Sequence, residues 1–154
     1  MKILLGVDTS PHASETVSQV CRMSWPRGTS VRVLSVVGPT EPQYAPQPHV
    51  LAAVAGNLAM IEAQQMAIHE ELIARTEEAL RRAGLDAVGE IAYGDPRQVL
   101  IETARSLGVE LVVVGFHAHS GFAQLVAGSV ASYVVTHAPC NVLVVRRDHA
   151  EAGD

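Results

Sequence analysis

The chain has 154 residues and a formal net charge of −5 at neutral pH. Hydrophobic residues make up 48% and charged residues 18%, a balance typical of a globular domain rather than a disordered chain. Lys2 is the only lysine and the arginines are scattered, which argues against a nucleic-acid-binding surface. The apolar N-terminal run breaks at Asp8, too early for a signal peptide or a membrane span, so a cytoplasmic location is expected.

The first half of the chain begins with two short apolar runs. Residues 3–7 end at a turn cluster and predict a buried strand, and Thr9 or Ser10 is expected to cap the helix that follows. Residues 30–37 are rich in β-branched side chains and predict a second buried strand. Prolines recur between Pro39 and Pro48 and predict a surface loop, which is equally well interpreted as a lid over a ligand site or as a tolerated insertion.

Residues 51–83 predict one long helix. Its inner stripe is expected to consist of four apolar residues at helical spacing: Ile61, Ile68, Leu72 and Ala79. Its outer surface carries three acidic–basic pairs four residues apart, in the order that stabilises a helix: Glu71–Arg75, Glu77–Arg81 and Glu78–Arg82.

The second half continues the alternation of strands and helices. Residues 87–93 predict a third strand, and Asp95 is expected to cap a helix that Gly108 ends. Residues 111–114 form the most apolar strand, and a turn-rich connection then leads to a helix from Gly128 to about residue 137. Residues 141–145 predict the last strand.

Strict alternation of buried strands with helices predicts a three-layer, doubly wound α/β fold. We expect a Rossmann-like, five-stranded parallel sheet in the order 3-2-1-4-5, with helices on both faces. No composition shift marks a second domain, so residues 1–147 are expected to form one domain and residues 148–154 a loose tail.

Open α/β sheets bind ligands where the strand order reverses, beyond the carboxyl ends of the strands. In the expected order, that crevice lies between the first and fourth strands. The residues that leave these strands and open the next helix are Val7, Asp8, Thr9, Ser10, Gly115, Phe116, His117, Ala118, Gly128 and Ser129. Gly128 and Ser129 offer free amides and a hydroxyl at a positive helix end, and Asp8 offers acceptors for a ribose or an adenine amino group. Each of these residues alone is also explained as a turn or a helix cap.

The chain resembles the universal stress protein family over essentially its full length, as a single-domain, UspA-like member. The resemblance lies in residues 3–10 at the start, in residues 94–96, Ile101, Ala104 and residues 111–115 in the middle, and in residues 128–130 and 137–145 at the end. The last run, HAPCNVLVV, is the most specific. The resemblance implies an adenine-nucleotide-binding stress regulator, with ATP, ADP or AMP as ligand and Mg²⁺ when ATP is bound. It also implies a homodimer formed through Val142 to Val145.

ATP-binding members of that family carry a G-x-x-G motif, nine residues, and then a glycine followed by serine or threonine. Gly115, Gly128 and Ser129 stand at matching positions, whereas Ala118 replaces the second glycine. The resemblance implies phosphate contacts at Gly115, Gly128, Ser129 and Val130, base or ribose contacts near Asp8, and a backbone contact near Val36. Because no Lys or Arg lies between Arg105 and Arg146, phosphates are expected to be held by amides, hydroxyls, His117, His119 or a metal.

Three functions from different classes stay open at this point. The first is the nucleotide-binding regulator, and the second is a dimeric interaction module that has lost nucleotide binding, which Ala118 favours. The third is a weak ATPase, ranked last because Asp8 is the only evident carboxylate at the crevice. P-loop, dinucleotide-fingerprint and hydrolase-elbow motifs are absent, so no catalytic residue is assigned. His117 and His119 are too few for a metal site, and a membrane partner is not expected.

Overall fold

The computed structural model describes residues 1–38, 48–116 and 129–146, with the backbone alone for residues 48–58 and Ser129. The elements, in chain order, are β1 Lys2–Val7, α1 Ala13–Arg22, β2 Ser30–Val37, α2 Pro48–Arg82, β3 Asp86–Tyr93, α3 Pro96–Leu107, β4 Leu111–Gly115, α4 Ser129–His137 and β5 Asn141–Val145. All four strand pairings are parallel, and the sheet order is β3-β2-β1-β4-β5. The doubly wound topology expected from the sequence is therefore confirmed.

Helices cover both faces of the sheet, which gives the domain two separate apolar cores. One core joins α1 and α2 to alternate strand residues such as Leu5 and Val33. The other joins α3 and α4 to the intervening residues, such as Leu4 and Val112. Since successive strand residues point to opposite faces, nearly every residue of β1 is buried, which explains its unbroken apolar run.

Helix α3 begins and ends as its sequence predicts. The Asp95 side chain accepts a hydrogen bond from the Arg97 backbone N–H, and Gly108 takes a left-handed conformation after the last turn. The predicted cap of α1 is wrong. The residue before α1 is His12, which makes no side-chain cap bond, and Ser10 contributes its backbone carbonyl to the Ala13 N–H instead. The Ser10 hydroxyl is turned back onto Asp8.

Helix α2 is longer than predicted and carries a different inner stripe. Its 35 residues span about 52 Å, roughly twice the length of an eight-residue strand such as β2. Ile73 and Leu80 are buried and Leu72 and Ala79 pack against the same core, whereas Ile61 and Ile68 are about half exposed. The predicted stripe was therefore wrong at its first two positions, since the described α2 side chains that pack against the core all come after residue 68.

The second half of α2 also covers the free edge of β3. The Glu77 carboxylate accepts a hydrogen bond from the Gly89 N–H at 2.6 Å, and the Arg81 guanidinium donates to the Ala87 carbonyl at 2.9 Å. Glu77 and Arg81 are themselves an ion pair at 3.3 Å, one of the three pairs that the spacing predicted. Two outward backbone groups of this edge strand are thus bonded within the chain, which hinders pairing with another chain.

Gly89 is required for this cover. A Cβ at position 89 would overlap the Cγ2 methyl of Ile73. We expect Gly89→Ala to lower the free energy of unfolding by about 1–3 kcal/mol, because the helix must move away from the strand. Urea unfolding followed by circular dichroism measures the loss. Gly38→Ala is the matched control, since a Cβ there meets nothing within 4 Å. Equal stability of Gly89→Ala and the parent would contradict the close approach.

Candidate functional site

The carboxyl edge of the sheet opens between β1 and β4. β1 pairs with β2 as far as Val7, opposite Ser35, but it pairs with β4 only from Ile3 to Leu5. β4 itself continues to Gly115, where it still pairs with β5. The last residues of the two central strands therefore border a gap at the point where the strand order reverses, as the topology predicted.

The direction of each backbone group in this gap follows from the ladder. The Met1 carbonyl accepts from the Ser30 N–H on β2, and the Lys2 carbonyl accepts from the Glu110 N–H, which precedes β4. Carbonyls of odd-numbered residues in β1 thus face β2, and backbone groups of even-numbered residues face β4. Beyond the paired segment, the Gly6 carbonyl and the Asp8 N–H are therefore directed into the gap.

One amide of β4 faces the same gap from the opposite side. The Phe116 N–H donates to the Val145 carbonyl on β5 at 2.7 Å. Since successive residues of a strand alternate, the N–H of the preceding Gly115 points toward β1. Asp8 and Gly115 thus present two amides to one space, an arrangement that can bind an anion or a hydroxyl oxygen.

The Asp8 side chain is partly used by its own turn. One carboxylate oxygen, Oδ1, accepts from both the backbone N–H and the hydroxyl of Ser10, the N–H bond being 3.1 Å long. These bonds make an Asx turn, which is the local turn role that the sequence also allowed for Asp8. The turn holds the carboxylate at the exposed opening of the gap. The second oxygen, Oδ2, has capacity left for a ligand hydroxyl or amino group.

Gly115 has a packing reason of its own. A Cβ at this position would lie 2.8 Å from Oγ1 of Thr16, a buried residue of the second turn of α1. The glycine therefore lets α1 lie close against the end of β4. Its backbone does not take the left-handed conformation that would by itself demand glycine.

The remaining site residues predicted from the sequence fall into two groups, those that the structure describes and those that lie outside the described residues. Val36 and Val130 are partly buried and pack against the core between the sheet and α3 and α4, and Thr9 is exposed next to Asp8. Ser129 is the first residue of α4, so its helix start is where the sequence put it. His117, Ala118 and Gly128, and with them His119, lie outside the described residues.

A cation at the carboxyl edge of the sheet, next to the end of β4, was missed in the sequence. The Arg146 guanidinium lies 4.1 Å from the centre of the Phe116 ring, a cation–π contact between the residues that follow β5 and β4. Counting along the chain showed no cation near Gly115, yet parallel neighbouring strands bring their next residues together. The sequence did contain a signal for this contact, because Phe116 and Arg146 each directly follow one of two strands that were predicted to be neighbours.

His69, on α2, lies at the edge of the candidate site. Its Nδ1 lies 2.7 Å from the Ser35 hydroxyl, which in turn donates to the Val7 carbonyl at 3.2 Å. Burial lowers the pKa of His69 from its ordinary value, so the ring is neutral at neutral pH. Burial also raises the pKa of Cys21 and Cys140, which keeps both thiols protonated and argues against a reactive cysteine.

Within the described ranges, no three His, Cys, Asp or Glu side chains come together as ligands for a metal ion. In the same ranges, no helix is long and apolar enough to cross a membrane.

Comparison with known proteins identifies the family. The model of the universal stress protein family matches residues 1–146. The chain belongs to this family. Universal stress protein Sll1388 from Synechocystis is 25% identical over 150 residues, which cover 94% of this chain and 97% of that protein. A putative universal stress protein from Staphylococcus haemolyticus is 36% identical, but the match spans 81 residues, 51% of this chain and about half (49%) of that protein.

Solved universal stress protein structures share the fold. UspA from Lactobacillus plantarum superposes with a TM-score of 0.70 at 26% identity, covering 95% of this chain and 97% of that one. A universal stress protein in complex with cAMP gives a TM-score of 0.64 at 19% identity and covers 95% and 96% of the two chains. An Arabidopsis thaliana member with AMP bound gives 0.62 at 15% identity and covers 100% and 97%.

The contact between Gly115 and Thr16 can be tested with a double-mutant cycle. We expect Gly115→Ala to lower the free energy of unfolding by about 1–3 kcal/mol, because the new methyl crowds the Thr16 hydroxyl. Thr16→Ser in the Gly115→Ala background does not relieve the crowding, whereas Thr16→Ala does. Thermal and urea unfolding of the parent, the singles and the doubles measure the coupling. Additive losses in the Thr16→Ala double variant would contradict a direct contact.

Proposed function

We propose that this chain is an adenine-nucleotide-binding regulatory module that binds its ligand in the gap between β1 and β4. The observation that carries the proposal is the early end of the β1–β4 ladder, which directs the Asp8 and Gly115 amides into one space. Backbone amides at a topological switch point are suited to the phosphate or ribose oxygens of a nucleotide. Solved members of the same fold, described as bound to AMP and to cAMP, support this ligand class.

The roles of the other residues follow from their places around the gap. Ser129 stands at the start of α4, where free amides and the helix dipole favour a phosphate, and Val130 follows it. Val36, Val7 and Thr9 border the β1–β2 side, where the base and ribose are proposed to lie. His117, Ala118 and Gly128 complete the phosphate loop in this proposal, with Mg²⁺ accompanying ATP.

Arg146 adds the charge that the loop sequence lacks. Its guanidinium is held on Phe116, directly after β4, and it is exposed to solvent. A phosphate at the Gly115 amide would lie on the same edge of the sheet as this cation. The site is proposed to bind and not to turn over its ligand, and the module is proposed to act in the cytoplasm.

A second function has an observation of its own. Ala118 stands where ATP-binding members carry glycine, and alanine costs roughly 1 kcal/mol or more where a backbone needs positive φ. The alternative is therefore a dimeric interaction module whose nucleotide site no longer binds.

Calorimetric titration separates these two functions. We expect AMP to bind the parent with a micromolar Kd, about −8 kcal/mol, and ATP with Mg²⁺ to bind more weakly. Ala118→Gly should tighten ATP about fivefold by removing the cost of alanine in the loop. Ala127→Gly in the same loop is the matched control, and GMP tests selectivity for the base. Binding only after Ala118→Gly would favour the interaction module, and no binding in either protein would contradict the nucleotide proposal.

The two edges of the sheet differ, and this supports a homodimer through β5. The Glu77 and Arg81 side chains bond the outward Gly89 N–H and Ala87 carbonyl of β3, whereas no such bonds to β5 occur among the described residues. The Val145 carbonyl faces β4, so the N–H groups of the even-numbered residues Val142 and Val144 point outward. We propose that a second copy pairs antiparallel along Val142 to Val145.

The outward N–H of Val144 gives a selective test of this pairing. Val144→Pro removes that N–H without removing a donor from the β4–β5 ladder, since proline is tolerated at solvent-facing positions of edge strands. We expect a dimer for the parent and for Val144→Thr, and a monomer for Val144→Pro, by light scattering at tens of micromolar. A monomeric parent, or a dimeric proline variant, would contradict the β5 interface.

A further inference from the structure

A buried hydroxyl connects three elements at the border of the gap. Ser35, on β2, is fully buried, and its hydroxyl bonds to the Val7 carbonyl of β1 at 3.2 Å and to the His69 ring of α2 at 2.7 Å. Buried polar side chains are costly unless they are hydrogen-bonded, so a serine with two partners at this depth has a defined orientation.

The position of the proton in this chain of contacts follows from the chemistry of a hydroxyl. The Ser35 hydroxyl has one hydrogen, and it donates that hydrogen to the Val7 carbonyl. The contact with His69 then requires the ring Nδ1 to donate to the Ser35 oxygen. The neutral ring that the lowered pKa indicates is therefore the tautomer with hydrogen on Nδ1.

The Val7 carbonyl and the Asp8 N–H belong to one peptide group. Peptide groups are planar, and in the trans form the carbonyl and the N–H point in opposite directions. Among the described residues there is no cis peptide bond. The last rung of the β1–β2 ladder, Val7 opposite Ser35, directs the Val7 carbonyl toward β2, and the Ser35 hydroxyl is an additional donor to the same oxygen. Together they direct the Asp8 N–H toward β4, where no β1–β4 pairing exists to orient it.

We propose that His69 is a positioning residue of the nucleotide site, acting through Ser35 to strengthen the last rung of the β1–β2 ladder and so hold the Val7–Asp8 peptide with its N–H directed into the gap. The inference rests on the proposed function, since it assigns that N–H to an oxygen of the nucleotide. His69 does not touch the ligand in this arrangement. Packing alone does not call for a histidine here, because the residues that pack against the core one turn further along α2 are apolar: Ile73, which is buried, and Leu72, which is partly buried.

Three variants separate positioning from packing. His69→Asn keeps an N–H donor on the atom that replaces Nδ1, His69→Leu keeps the bulk without a donor, and Ser35→Ala removes the hydroxyl between them. Urea unfolding of each variant reports its stability. Only variants that this experiment shows to be folded are then compared with the parent by their backbone amide signals.

The first readout needs no nucleotide. In ¹⁵N–¹H correlation spectra of the free protein, the Asp8 amide should shift in His69→Leu and in Ser35→Ala and should return near its parental position in His69→Asn. An Asp8 amide that stays at its parental position in both His69→Leu and Ser35→Ala would overturn the proposal.

The second readout is calorimetric titration of AMP. We expect His69→Leu to bind AMP about fivefold more weakly, the effect of roughly one misaligned hydrogen bond, and His69→Asn to restore most of that affinity. Parental affinity in His69→Leu would overturn the positioning role while leaving the proposed function intact. No binding by the parent would instead overturn the proposed function, and the amide shifts would then decide alone whether His69 orients the peptide.

Discussion

The structure depends on the unequal pairing of its central strand. β1 lies between β2 and β4 and is covered by helices on both faces, so its apolar side chains organise both cores. Its ladder with β2 continues two residues further than its ladder with β4. A fully paired β1 would leave no free backbone group at this edge. Because the β1–β4 ladder is short, backbone amides beyond it are directed into the gap of the candidate site.

Long-range contacts made by α2 reach two places in the sheet, the outer side of β3 and the carboxyl end of β1. Near its C-terminal end, Glu77 and Arg81 bond two outward backbone groups of β3, and among the described residues no side chain bonds β5 in this way. Further toward its N-terminal end, His69 contacts Ser35 near the end of β2 and, through it, the last carbonyl of β1. One helix thus protects an edge from pairing and connects to the backbone of the candidate site.

Several residues at the site serve the fold first. Asp8 holds its own turn through Ser10, Gly115 admits Thr16, and Val36 and Val130 pack against a core. Backbone amides can bind a ligand without any side chain being set aside for it, so these side chains can keep their structural contacts.

The sequence by itself determined the strand and helix order, the cap of α3 and the three ion pairs of α2, because these depend on local periodicity and on residues a few positions apart. It also located the gap, since topology places the ends of β1 and β4 together. Only the tertiary structure decided which stripe of α2 is buried, because that depends on where the helix leaves the sheet. The same holds for Arg146 beside Phe116 and for His69 on Ser35, contacts between residues 30 and 34 positions apart. No local pattern encodes them, because the folding of the sheet, not the spacing along the chain, brings these side chains together.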